Sequence, residues 1–190
     1  MNITEQLLHY THEVENLTFH VQSSFGSLSD AQLNWKPHAE KWSIAQCLYH
    51  IITSNTTYFP MFDAVKSGRY TPTFWQRVPF VPTFIGREMV KALGRVPRRA
   101  IKTSPMFEPT KSMISREIIA GFALHQVRVA DYLRFFAQSN LPIERIIIPL
   151  PITSVLIVPL SDALTVMVNH EFRHVRQAEN VAQSVNFGIL

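Results

Sequence analysis

The stretch from Ser161 to Val181, SDALTVMVNHEFRHVRQAENV, decides the fold. At about 100° per residue, Ala163, Met167, His170, His174, Ala178 and Val181 fall in one sector, with Phe172, Arg173 and Arg176 outside it. That period marks an amphipathic helix from near Ser161 to about Val185. Its two histidines, four residues apart, stack on the buried face.

Working towards the N-terminus, the same period recurs in three further long segments, so the expected fold is all-α, a four-helix bundle. In the first, roughly residues 3 to 25, Leu7, Tyr10, Val14, Leu17, Val21 and Phe25 share a face. The second starts at WSIAQ, where Ser43 with Gln46 three residues on is a capping-box signature. Its stripe runs through Ile44, Cys47, Ile51, Tyr58, Phe62 and Val65 to a stop near Ser67 and Gly68. The third, about Lys111 to Gln138, buries Ile114, Ile118, Phe122, Val129, Tyr132 and Phe136.

Two connectors separate these helices. Residues from about Tyr70 to Thr110 are rich in proline and aromatics, with a short helix expected around Phe84 to Leu93. They read as a lid-like connector between helices 2 and 3. Asn140 to Pro159, broken by Pro149, Pro151 and Pro159, reads as an extended strap packed on the bundle.

The whole chain, 190 residues with 46% hydrophobic content, is expected to form one domain, 1–190. One cysteine excludes an intrachain disulfide, and the opening MNITEQLL lacks a signal-peptide pattern, so a cytoplasmic location is expected. Ile146 to Leu160 is shorter than the roughly 20 residues needed to cross a bilayer, so no membrane span is expected. The formal charge of +4 is concentrated in Arg87, Lys91, Arg95, Arg98, Arg99 and Lys102, opposed there only by Glu88. That run reads as a solvated basic loop, and no recognition-helix or finger pattern accompanies it, so no nucleic acid is expected.

Function turns on which of the eight histidines face inward. His9, His12 and His20 lie opposite the first helix's stripe, and His38 sits in a proline-flanked loop. His170 and His174 point into the bundle, where two imidazoles need partners. Either they form a hydrogen-bonded structural pair or they ligate a divalent metal. His50, beside Cys47 and Ser54 on the edge of the second stripe, completes a three-histidine set. Such a set leaves a coordination position open for water or substrate, as catalytic sites require. Zinc or nickel fits best, and iron, cobalt and manganese also accept imidazole. His125, in the middle of the third stripe, is a fourth ligand, a pocket acid/base or a core histidine. Cys47 is a pocket candidate or simply packing.

Residues 170 to 174 read HEFRH, matching the HExxH pattern of zinc proteases. The longer form fails, because Gln177 and Asn180 stand where its glycine and third histidine belong. Glu179 is the only acid after His174, one turn along the same helix, so the third ligand is expected from upstream. Glu171 falls inside the apolar sector. Its candidate roles are catalytic base, orienter of a ligand, or partner of an arginine.

LSDAQLNWKP followed by KWSIAQCLYHI, with the terminal SDALTVMVNHEFRHVRQAENV, resembles the DinB-like superfamily over nearly the whole chain. The resemblance implies a four-helix bundle with a histidine on the second helix and an HxxxH pair on the fourth, which correspond to His50, His170 and His174. It implies a metal-dependent enzyme, either a thiol S-transferase using a low-molecular-weight thiol such as bacillithiol or mycothiol, or a metal-dependent hydrolase. Homodimerisation is common among similar proteins. The segment from Tyr70 to Thr110 departs from a minimal version and is expected to shape access to the metal. A thiol transferase acting on a small-molecule substrate is the leading expectation. A hydrolase with Glu171 as base, or a non-enzymatic metal- or ligand-binding module, stands beside it.

Overall fold

The computed structural model describes residues 1–72, 81–92, 94–95, 108–109, 113–151, 153–184 and 187. Helix α1 (Ile3–Phe25) opens on a capping box in which Asn2 accepts from the Glu5 amide and Glu5 reaches back to Asn2. A short α2 (Asp30–Asn34) leads to α3 (Ile44–Thr56), whose Ser43 and Gln46 make the reciprocal cap expected from the sequence. The remaining helices are α4 (Phe59–Lys66), α5 (Val81–Ala92), α6 (Ile118–Gln138) and α7 (Leu160–Ala182). The four-helix, all-α expectation holds. Helix α1 packs along α6, and α3 along α7. Among the described residues, no helix is long and apolar enough to cross a membrane.

Three boundaries differ from the sequence reading. The second helix is two pieces: α3 ends at Thr56, and α4 restarts with Pro60 in its first turn, where the missing N–H needs no acceptor. The third begins at Ile118 rather than Lys111, because Asn34 holds Ile114 in a non-helical conformation through bonds of 2.8 Å to both its amide and its carbonyl. The strap is a two-stranded antiparallel ribbon, β1 (Ile147–Leu150) and β2 (Thr153–Pro159), pairing Ile148 with Val158 and Pro149 with Ile157. Its register shifts at Pro149/Leu150, a bulge where a residue without an N–H is tolerated.

Part of the connector lies among the described residues. Helix α5 packs against β2 and α7, and Gly86 comes so close to Asp162 that a Cβ there would run into the carboxylate. Further on, Arg95 forks onto the Glu13 carboxylate, donates to Asn169 Oδ1 at 3.1 Å and lies over the Phe172 ring at 4.0 Å. This residue of the basic run is therefore tied down on α1 and α7. Arg98, Arg99 and Lys102 lie outside the described residues.

The apolar core is split in two along the bundle. One half gathers Leu7, Val14, Phe62, Val129, Leu164 and Val168; the other gathers Leu17, Phe25, Leu48, Phe122, Val175 and Val181. Between them each of α3, α6 and α7 turns polar side chains inward: Ser54 and Asn55, His125 and Gln126, Glu171 and His174, all buried. Burial of a large apolar side chain stabilises by about 1.5–3 kcal/mol, so interrupting the core here forgoes stabilisation. Such a departure from the apolar pattern is expected where a site is built.

Candidate metal centre

His50 comes from the middle of α3, and His170 and His174 from successive turns of α7, so the packing of α3 on α7 brings the three rings together. One ligand nitrogen from each lies within 4.8 Å of the others. His50 Nε2 and His170 Nε2 are 3.1 Å apart, close to the roughly 3.3 Å between two nitrogens each about 2.0–2.1 Å from one tetrahedral ion. His50 and His174 are buried, and His170 is half-buried.

The protonation states suit a cation. Burial holds the His174 ring down at about 2, helped by His50 and Arg173 and opposed by the bond to Gln177. Burial, then His174, His50 and Arg173, hold His170 well below the ordinary imidazole range. Both rings are therefore neutral at pH 7, the form in which imidazole offers a lone pair to a metal. Gln177 Oε1 lies 3.0 Å from His174 Nδ1 and accepts a hydrogen bond from its N–H, which leaves Nε2 as the lone-pair nitrogen. Arg173 donates to that same Nε2 at 3.0 Å. Trp42 covers the cluster, stacked on His174 and tilted against His50. Ser54 Oγ sits 3.4 Å from His50 Nδ1.

Glu171, between the two α7 histidines in sequence, points elsewhere. It is 0% exposed and accepts from Asn55 Nδ2 on α3 and from Gln126 Nε2 on α6, the latter at 3.0 Å. Burial pushes its carboxyl up to about 8, with the Gln126 and Asn55 amides pulling the other way. The group joins three helices immediately behind the cluster. Among the described residues its partners are these two amides, and it lies outside the three-histidine group.

His125 and Cys47 lie outside the three-histidine group. His125 stacks on Phe59, ring centroids 5.2 Å apart, and its buried Nε2 has no partner among the described residues. Burial, then Arg128, push it down to about 4. Cys47 is wholly buried in the apolar half around α3, and burial pushes its thiol far up, so it packs as a small apolar group. The four histidines read as surface groups are exposed. His20 meets Glu179 at 2.5 Å, and His9 and His12 lie near Glu13 and Glu15.

Sequence reasoning passed over Asn55, Gln126, Arg173 and Gln177 as members of this region. A signal was present for two of them: Asn55 and Gln126 are amides at the core phase of otherwise apolar stripes. Gln177, one turn after His174, is readable only once the ring's orientation is known.

All three histidines fall within residues 15–178, the span that matches the model of one protein family, the DinB superfamily. No curated protein and no solved structure matches the chain.

Proposed function

The chain belongs to the DinB superfamily, and from that premise we propose that it is a metal-dependent S-transferase, with His50, His170 and His174 holding zinc or nickel. The observation that carries this reading is the donor set: one imidazole nitrogen from each of three histidines, all within 4.8 Å of one another, and no carboxylate among them. Such a set suits a borderline-soft divalent ion and leaves a position for an anionic sulfur. A bound divalent ion supplies one thing, the lowering of the pKa of a thiol that reaches it, so that sulfur attacks an electrophile as thiolate.

The chain's own residues do the rest. Gln177 fixes the His174 tautomer and ring plane. Trp42 closes one side of the cluster against water. Glu171, Asn55 and Gln126 hold α3, α6 and α7 at the spacing on which convergence of the rings depends. In this reading Glu171 is a positioning residue. A hydrolytic role for it would need an oxygen turned to solvent, whereas both accept from buried amides.

The test begins with elemental analysis of protein purified without chelating resin. The wild type is expected to carry one equivalent of metal, which His50→Ala and His174→Ala lose. A metal-free wild type that takes up none on addition of zinc or nickel removes the centre of the proposal. Metal-loaded protein is then expected to accelerate conjugation of physiological thiols to a panel of electrophiles. A loaded protein that conjugates none leaves the site standing and the transferase reading abandoned.

A further inference from the structure

We propose that Arg173 is the oxyanion-recognition residue of the three-histidine site, and that the molecule this site takes carries an oxyanion, such as a carboxylate, beside the atom that reaches the metal. The inference rests on the metal reading above and adds a ligand class to it.

Arg173 is half-buried, and its Nε is fully buried with no hydrogen-bond partner among the described residues. No carboxylate among those residues lies within ion-pair distance of it, whereas Arg95, Arg128 and Arg134 each face an acid. Removing a guanidinium from water without an anion is unfavourable, and such groups are rarely buried unless paired. Burial accordingly pulls its pKa down. Glu171, two residues away, cannot supply the counter-charge, because it faces Asn55 and Gln126.

Among the described residues the guanidinium finds an acceptor in His174 Nε2, at 3.0 Å. Were His174 to give that lone pair to a cation, Nη2 would lose this acceptor. Nε and Nη2 belong to one edge of the guanidinium, and that edge would then carry two free donors beside His174, Nε from a buried position. Two parallel N–H groups are the complement of a carboxylate or phosphate edge. The loaded site would hold two cationic centres, the ion and Arg173, with no carboxylate among the three ligand candidates. Its field favours a ligand bearing negative charge at both points.

The experiment uses cobalt-loaded full-length protein, whose visible spectrum reports ligand binding directly, in wild type, Arg173→Met and Arg173→Lys. Mercaptoacetate and 2-mercaptoethanol differ in the carboxylate. Wild type is expected to prefer mercaptoacetate by roughly tenfold or more. Arg173→Met should lose that preference while binding 2-mercaptoethanol as before, and Arg173→Lys should keep part of it. Acetate and phosphate, titrated alone, distinguish which oxyanion the edge prefers. An undiminished preference in both variants overturns the inference. If cobalt binds but neither thiol does, the transferase reading fails, and the inference is decided by whether acetate and phosphate affinity falls in the variants. If wild type binds no cobalt, both fall together. Should Arg173→Met fail to fold, Arg173→Lys decides, with a reduced preference expected and an unchanged one fatal.

Discussion

The indole of Trp42 lies stacked on the imidazole of His174, ring centroids 5.6 Å apart and planes 21° from parallel, and approaches His50 at 4.8 Å. Trp42 immediately precedes the Ser43 cap of α3, so the helix start that positions His50 also positions the ring that covers the cluster. An open-shell ion held by these imidazoles would sit within quenching distance of the indole. Nickel added to metal-free protein is therefore expected to quench a saturable fraction of tryptophan emission, and Trp42→Phe to remove that fraction. Equal quenching in the variant would place the ion elsewhere.

Gln177 is expected to matter for affinity rather than for the fold. Its side chain is half-buried, and among the described residues it bonds to His174 Nδ1. Outer partners of this kind typically contribute 10–100-fold to metal affinity. Gln177→Ala should weaken zinc binding by about tenfold or more in a chelator competition, with a melting temperature close to wild type in the metal-free state. Unchanged affinity would show that the ring is held by its packing alone.

Glu171 yields a stability prediction with a built-in control. Truncation to alanine leaves the Asn55 and Gln126 amides buried without their acceptor and opens a cavity, a loss of about 2–4 kcal/mol in urea unfolding. Glu171→Gln should lose much less. Its carbonyl can accept from one amide, while its NH₂ can donate to Gln126 Oε1, which has no partner among the described residues in the wild type. Equal losses in the two variants would refute the tie between helices.

The buried His125 predicts a pH dependence. Folded, it takes a proton only at about 4, against about 6.5 when exposed. Between those values the unfolded chain binds more protons, so stability is fully present above about pH 6.5 and is lost as pH falls towards 4. His170 and His174 act in the same direction, and Glu171, with its raised pKa, in the opposite one between about 4.5 and 8. The His125 contribution is therefore read as a difference. In metal-free protein, His125→Phe, which keeps the stack on Phe59, should be less acid-sensitive than wild type by on the order of 1–3 kcal/mol near pH 4. Parallel stability curves would show that His125 has access to a proton in the folded state.

The amphipathic period and the Ser43 cap were enough to place α1, the start of α3 and α7, because those signals are local. The three ligand candidates were legible for the same reason: each sits in or beside an apolar stripe whose phase can be counted. The break after Thr56 was not read, although Pro60 marks it, because the apolar stripe continues through Tyr58 and Phe62 into α4. The late start of α6 depends on Asn34, eighty residues upstream of Ile114, and the ribbon depends on Ile148 pairing with Val158. Long-range pairings of that kind leave no periodic trace. Arg173 was counted off the inward face, and its contact with His174 follows from the reach of its side chain rather than from its phase.

The interruption of the core has a consequence for specificity of assembly. Two helices joined only by leucine and valine can slide by a turn at little loss, since one apolar contact replaces another. Here a slide of α7 by one turn would strand Glu171 away from Asn55 and Gln126 and leave three buried polar groups facing hydrocarbon. This layer of polar side chains between the two apolar halves therefore acts as a vernier, admitting a single axial alignment of α3, α6 and α7, and the alignment it admits is the one in which His50, His170 and His174 converge.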